Sequence, residues 1–218
     1  MKKKRTLLIL FIILGIIIGD LALYKQISPA ERNLEKLREA MDITNPVTRK
    51  FSLQLASAFP GEFNIDQTCS IYNYIYKNWK YVNDPRGLDY FSKASETINN
   101  NFTGDCDDFS ILIATVIESI GGRTRINFAF GPAGNHAFTE VYFTDDPKKL
   151  HERINYHFQG PLEFLFGITK VEKVNYKNDP VKGYWLNLDY TSKYPGGDYF
   201  EYRNRTIFYP KENHHISE

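Results

Sequence analysis

The chain has 218 residues, 42% of them hydrophobic and 24% charged, which suffices for one sizeable core without covalent staples. Its 27 basic and 26 acidic residues leave a formal charge of +1, so no long-range field draws in nucleic acid, and nucleic acid is not an expected partner. Two cysteines, Cys69 and Cys106, are too few for a disulfide framework. A single bridge between them would be compatible with an oxidising compartment and would remove any thiol chemistry.

Lys2, Lys3, Lys4 and Arg5 precede an apolar run from Leu7 to Gly19, which Asp20 interrupts and Leu21 to Tyr24 resumes. From Thr6 to Tyr24 a helix would measure about 28 Å at roughly 1.5 Å per residue, close to the thickness of a bilayer's hydrocarbon core. The basic cluster is retained on the cytoplasmic side, and Asp20 falls near the outer interface where its charge is tolerated. The expected organisation is a cytoplasmic tail over 1–5, a single-pass membrane anchor over 6–24 and an extracytoplasmic remainder. Secretion after signal cleavage is the alternative. It is disfavoured by a poor small-x-small pattern around Gly19 to Leu23, and no lipobox cysteine follows the run.

Ser28-Pro29-Ala30-Glu31 is a capping box with proline at the first helical position, followed by Leu34, Leu37 and Met41 at helical spacing. That helix is expected to stop near Asn45-Pro46. A second, with Phe51 and Leu55 on one face, closes at Pro60-Gly61, so 25–62 reads as a helical juxtamembrane region. A third runs from about Asp66 to Trp79, with Ile65, Cys69, Tyr72, Ile75 and Trp79 on one stripe, which assigns Cys69 to a buried face as a small hydrophobe. Asn83 to Gly87 is dense in turn formers and leads to a short helical turn at Ser95 to Ile98. Asp105 then caps an apolar helix carrying Ile111, Leu112, Val116, Ile117 and Ile120, ended by Gly121-Gly122.

Beyond it the period changes to two. Arg123 to Phe130 and His136 to Phe143 read as strands joined by the turn Gly131 to Asn135. Residues 146–158 are expected to be helical, and Thr169 to Tyr176, Tyr184 to Tyr190 and Thr206 to Tyr209 to be strands, with 211–218 a tail. His151 and His157 in the later helix and His214 and His215 in the tail lack the spacing of a metal site and read as solvated surface; no cofactor or metal is expected.

Cys106 follows Asp105 at a helix N-terminus, where unpaired N–H groups and the helix dipole favour a thiolate and could also meet an oxyanion. Gly104 is expected to let the backbone approach a substrate. Asp105, Asp107 and Asp108 oppose ionisation unless a cation compensates, and a protonated histidine would supply it. His136 opens a strand after a glycine-bearing turn, aimed at a sheet edge, and alternates with Phe138, Glu140 and Tyr142. Asp189, at the end of Trp185-Leu186-Asn187-Leu188-Asp189, is placed to fix the tautomer of that imidazole, with Asn187 on the same strand face as the fallback.

Gly104 to Phe109 opening a long apolar helix, Gly121 to Arg125 after it, Asn135 to Val141 on a strand and Trp185 to Asp189 together resemble the transglutaminase-like superfamily of papain-type cysteine enzymes, as does the approach Trp79-Lys80-Tyr81 with Asp84-Pro85. The resemblance covers about 66–196. It implies an α+β fold with the reactive cysteine at the N-terminus of a central helix packed on an antiparallel sheet, here preceded by N-terminal helices and the membrane anchor. It also implies a catalytic triad of Cys106, His136 and Asp189. The domain is then expected over 63–210, with residues 145–183 as an insertion between His136 and Asp189. Trp79 is read as core, and no side chain is assigned to oxyanion stabilisation. The function so implied is a cysteine hydrolase, protease or amidase, or an acyltransferase, acting on peptide or protein amides of the cell envelope. A cross-linking transglutaminase and a non-catalytic binding or envelope-scaffold module are the alternatives.

Overall fold

The computed structural model describes residues 12–14, 28–84, 90–160 and 171–218. Apart from residues 12–14, the expected anchor at 6–24 lies outside them, and among the described residues no helix is long and apolar enough to cross a membrane.

The reciprocal bonds of Ser28 and Glu31 start helix α1 (Pro29–Ala40), and α2 (Pro46–Ala56) starts on the side chain of Asn45. A second capping box, Asn64 with Gln67, opens α3 (Ile65–Asn78), whose stripe of Ile65, Cys69, Tyr72 and Ile75 is buried as its spacing requires. Strand β1 (Lys80–Tyr81), helix α4 (Ala94–Asn99) and strand β2 (Thr103–Gly104) follow, with β1 and β2 parallel. They lead into α5 (Cys106–Glu118), where Asp105 and Asp108 make a third capping box. Helix α5 is buried from Asp107 to Ile117, as expected of a helix that is apolar all round.

Strands β3 (Thr124–Gly131) and β4 (Gly134–Phe143) form a hairpin in which Gly131 lies opposite Gly134. Gly134 has a φ of 115°, which an L side chain would strain. Helix α6 (Pro147–Phe158) and strands β5 (Tyr176–Asn178), β6 (Tyr184–Asn187), β7 (Asn204–Tyr209) and β8 (His214–Ser217) complete a six-stranded antiparallel sheet in the order β5-β6-β4-β3-β7-β8. The fold is thus α+β with a central helix on an antiparallel sheet.

Three expectations shift. Of the strand anticipated over Thr169 to Tyr176, only its last residue is in β5, because the preceding backbone is bonded outside the sheet: Val171 N–H to Asn155 Oδ1 on α6 at 3.1 Å and Asn175 N–H to the Gly196 carbonyl at 2.7 Å. Residues 169–170 lie outside the described set. Strand β6 stops at Asn187, not Tyr190; Leu188 N–H still reaches the Thr139 carbonyl at 2.9 Å, and the chain then turns so that Ser192 N–H meets the Asp189 carbonyl at 3.1 Å. Half of the tail from 211 is edge strand β8, whose mostly exposed side chains give no hydrophobic alternation to read.

Because β4 and β6 are neighbours, residues 145–183 loop out between adjacent strands. Their helix α6 is packed, not loose: Leu150 and Ile154 join the main core. Arg153 and His157, the latter anticipated as solvated, both bond Asp66 on α3, at 2.8 and 2.9 Å. His151 meets the Val171 carbonyl at 2.6 Å.

Along β4, alternate residues serve opposite faces. Val141 enters the core with Phe109, Leu112 and Ile113 of α5, and the Thr139 hydroxyl donates to the Ser110 carbonyl at 2.8 Å. The other face is charged yet buried. Glu140 is fully buried and accepts from Arg125 at 2.7 Å, Asn127 at 3.0 Å and the Tyr199 hydroxyl at 2.7 Å, with Arg205 3.7 Å away. Removing that carboxylate leaves the buried Arg125 guanidinium without its anionic partner, while Arg205 keeps Glu218, so Glu140→Ala is expected to lose about 3 kcal/mol of stability, read from urea unfolding.

Candidate active site

Asp105 and Asp108 fix the entry of α5 and thereby Cys106. The Asp105 side chain accepts from Asp107 N–H at 3.3 Å, and Asp108 reaches back to Asp105 N–H at 3.4 Å and across to Ser92 N–H at 2.8 Å. Gly104 is needed for this crossing, since a Cβ there would stand 2.4 Å from an Asp108 carboxylate oxygen. Asp108 therefore makes the close approach to Gly104 that the lack of a side chain permits. Asp107 in turn accepts from Asp108 N–H at 2.9 Å, so two of the first-turn N–H groups are taken by acidic side chains.

Cys106 is a free, partly exposed thiol, whereas Cys69 is free and fully buried. Burial pushes the Cys106 thiol up to about 12; a hydrogen bond from the Ala137 backbone and one from its own N–H favour the thiolate, and Asp105 and Asp107 oppose it. The helix terminus alone thus does not ionise this sulfur, contrary to its simplest sequence reading. Burial likewise raises the Asp107 carboxyl, with Asp105 and Asp108 adding to the effect. Asp105, Asp107 and Asp108 have oxygens within 4.8 Å of one another and are the described group of side chains best placed to hold a cation. The capping bonds above account for their placement without one.

His136 sits near the start of β4, on the stretch beyond that strand's ladder with β6, and is only 8% exposed. The ladder between β4 and β6 ends at Glu140 and Asn187, so no β6 residue pairs with His136, and the turn after β6 delivers Asp189 there instead. His136 Nε2 lies 2.8 Å from Asp189 Oδ2, and Asp189 is 1% exposed. The second carboxylate oxygen accepts from Thr191 N–H at 3.0 Å. With Nε2 committed to Asp189, Nδ1 is the ring nitrogen left for proton exchange. Cys106 and His136 line one cavity, and the residue after His136 supplies the N–H that meets the sulfur.

The fallback partner Asn187 is engaged elsewhere: its Nδ2 donates to the carbonyls of Gly197 and Asp198 at 3.1 and 3.0 Å. Two positions escaped the sequence reading. The Tyr72 hydroxyl, on the core stripe of α3, lies 2.6 Å from the Asp189 carbonyl and 2.7 Å from that of Ser192, pinning the turn that carries the carboxylate. Tyr190 packs against His136 with ring centroids 5.6 Å apart, and Tyr81 stacks on Tyr190 at 5.3 Å. Trp79 packs edge-on against Phe109 at 5.0 Å, in keeping with a core role, although its buried indole N–H has no partner among the described residues.

Residues 53–149, which hold Cys106 and His136, match the family model of the transglutaminase-like superfamily. Over this segment the chain is similar to that superfamily. The transglutaminase-like match ends just inside α6, so Asp189 lies downstream of it. Among solved structures, a candidate cysteine protease from Cytophaga hutchinsonii aligns at 19% identity and a TM-score of 0.36, over 43% of this chain and 32% of that one. A candidate protease from Parabacteroides distasonis aligns at 12% identity and a TM-score of 0.42, over 52% of this chain and 25% of that one. LapG from Legionella pneumophila, EGTA-treated, aligns at 18% identity and a TM-score of 0.40, over 73% and 72% of the two chains. This chain therefore spans a third or less of the first two proteins. A comparison with curated proteins finds no match.

Proposed function

We propose that this transglutaminase-like domain is a cysteine-nucleophile amide hydrolase, held by its N-terminal segment on the outer side of a cell membrane. The observation that carries the reading is the buried 2.8 Å pairing of His136 with Asp189 beside a cavity that also exposes Cys106. His136 Nδ1 takes the thiol proton as Cys106 Sγ attacks an amide carbonyl, and Asp189 holds the ring and stabilises the imidazolium. The N–H of Cys106 itself, at the first position of α5, bonds its own sulfur before attack and passes to the oxyanion as that sulfur is acylated; those of Asp107 and Asp108 are held by acidic side chains. His136 then protonates the leaving amine, the C–N bond breaks, and water hydrolyses the thioester with His136 as base.

The hydrophobic run and flanking basic residues at the N-terminus support the membrane placement. Peptide or protein amides of the cell envelope are the substrate class consistent with it. Water is the default acceptor because the cavity is open to solvent. With purified full-length chain, a peptide substrate and a labelled primary amine, mass spectrometry is expected to show hydrolysis outpacing amine incorporation. Predominant amine incorporation would make the protein a cross-linking transglutaminase instead.

A further inference from the structure

The cavity at Cys106 has a volume of about 390 Å³, and away from the sulfur three phenylalanines line it beside Asn33 and Thr206. Phe91, Phe128 and Phe208 form a continuous surface, with ring centroids 5.7 Å apart for the first pair and 5.5 Å for the second. Phe91 and Phe128 are only partly covered, and Ala30 of α1 and Ala129 of β3 border the cavity with nothing larger than a methyl group. Two acidic side chains, Asp105 and Asp107, line the Cys106 end, and among the described residues no lysine or arginine lines it.

An uncovered aromatic wall in a concave site gains most from an apolar group that displaces its water, and ring-on-ring contact adds to the area term. We propose that this wall is the subsite for a large apolar side chain, aromatic or branched aliphatic, on the substrate residue next to the scissile bond. The Asp105 carboxylate at the sulfur end turns acidic side chains away. This deepens the reading of Cys106 as nucleophile and rests on it: the same cavity holds the sulfur and the wall, so a residue beside the attacked carbonyl is within its reach.

The test uses full-length chain and peptidyl chloromethyl ketones bearing Phe, Ala or Asp beside the warhead, with the rate of Cys106 labelling followed by intact mass. The Phe reagent is expected to label at least about ten-fold faster than the Ala reagent, and the Asp reagent more slowly than Ala. Phe91→Ala, which removes wall, and Ala30→Trp, which fills the space, are each expected to bring the Phe-to-Ala ratio down towards one. Circular dichroism checks that each variant is folded, and either one suffices. Equal rates, as a cavity filled by the chain's own preceding residues or by a partner would give, overturn the subsite. If iodoacetamide labels Cys106 but no peptidyl reagent does, the subsite alone is wrong. If iodoacetamide also fails, the nucleophile reading falls and the subsite falls with it.

Discussion

Cys106→Ala is expected to reduce amide turnover by at least about a thousand-fold, to the level that binding and backbone donors alone sustain. The substitution removes the atom that forms the thioester, so no residual covalent route remains. Its structural cost is small: the sulfur is partly exposed and belongs to neither of the larger core clusters, so folding and melting temperature are expected to change little. Cys69→Ala is the informative contrast. Cys69 is fully buried in the main core with Tyr72 and Ile75, so its loss is expected to lower stability while kcat stays near wild type. Steady-state kinetics and thermal unfolding on both variants separate the roles.

Asp189→Asn is expected to lower kcat by about three to four orders of magnitude with little change in KM. The geometry explains why an isosteric change matters. His136 Nε2 must carry the proton for the 2.8 Å bond to Asp189, which leaves Nδ1 unprotonated to receive the thiol proton. An asparagine amide can offer a donor to Nε2 and trap the opposite tautomer. The turn itself is held by Tyr72 through the backbone carbonyls of Asp189 and Ser192, so the variant keeps its fold. His136→Ala is expected to cost about as much, and the double variant no more than either alone, because the two residues act as one unit. An Asp189→Asn chain with more than a tenth of wild-type kcat would remove Asp189 from the catalytic machinery.

Much of the scaffold was legible because it is written in local chemistry. Ser28 with Glu31, and Asp105, announced helix starts, and the change of period after Gly122 marked the passage from helices to sheet. The same local logic placed Cys106 at the mouth of α5. What escaped depends on partners distant in sequence. Glu140, Arg125 and Arg205 look like solvent-facing charges on alternating strands, and only the sheet brings them together in a buried network. Tyr72 reads as one more aromatic on a core stripe; that its hydroxyl anchors a turn 117 positions away follows from tertiary contact alone. The contact of Gly104 with Asp108 was not legible, because a glycine before a reactive residue is consistent with several close approaches. Strand β8 was missed because an exposed edge strand needs no apolar face.

The state of the sulfur is the most consequential of these differences. A helix N-terminus suggested a thiol inclined to ionise, yet burial and the flanking aspartates hold Cys106 near 12. A raised thiol pKa leaves almost no thiolate at neutral pH, and the fraction grows about ten-fold per pH unit until the pKa is reached. Reactivity near pH 7 must then come from proton transfer to His136 and not from free ionisation. The most direct measurement is the pH dependence of iodoacetamide alkylation at each cysteine, in wild-type chain and in His136→Ala. Wild-type Cys106 is expected to react readily and with a shallow pH dependence from about pH 6 to 9, with Cys69 spared. In His136→Ala the Cys106 rate is expected to fall at least about a hundred-fold at pH 7 and to climb steeply with pH. Slow, equal labelling of both cysteines, or a Cys106 rate indifferent to the loss of His136, would contradict the account.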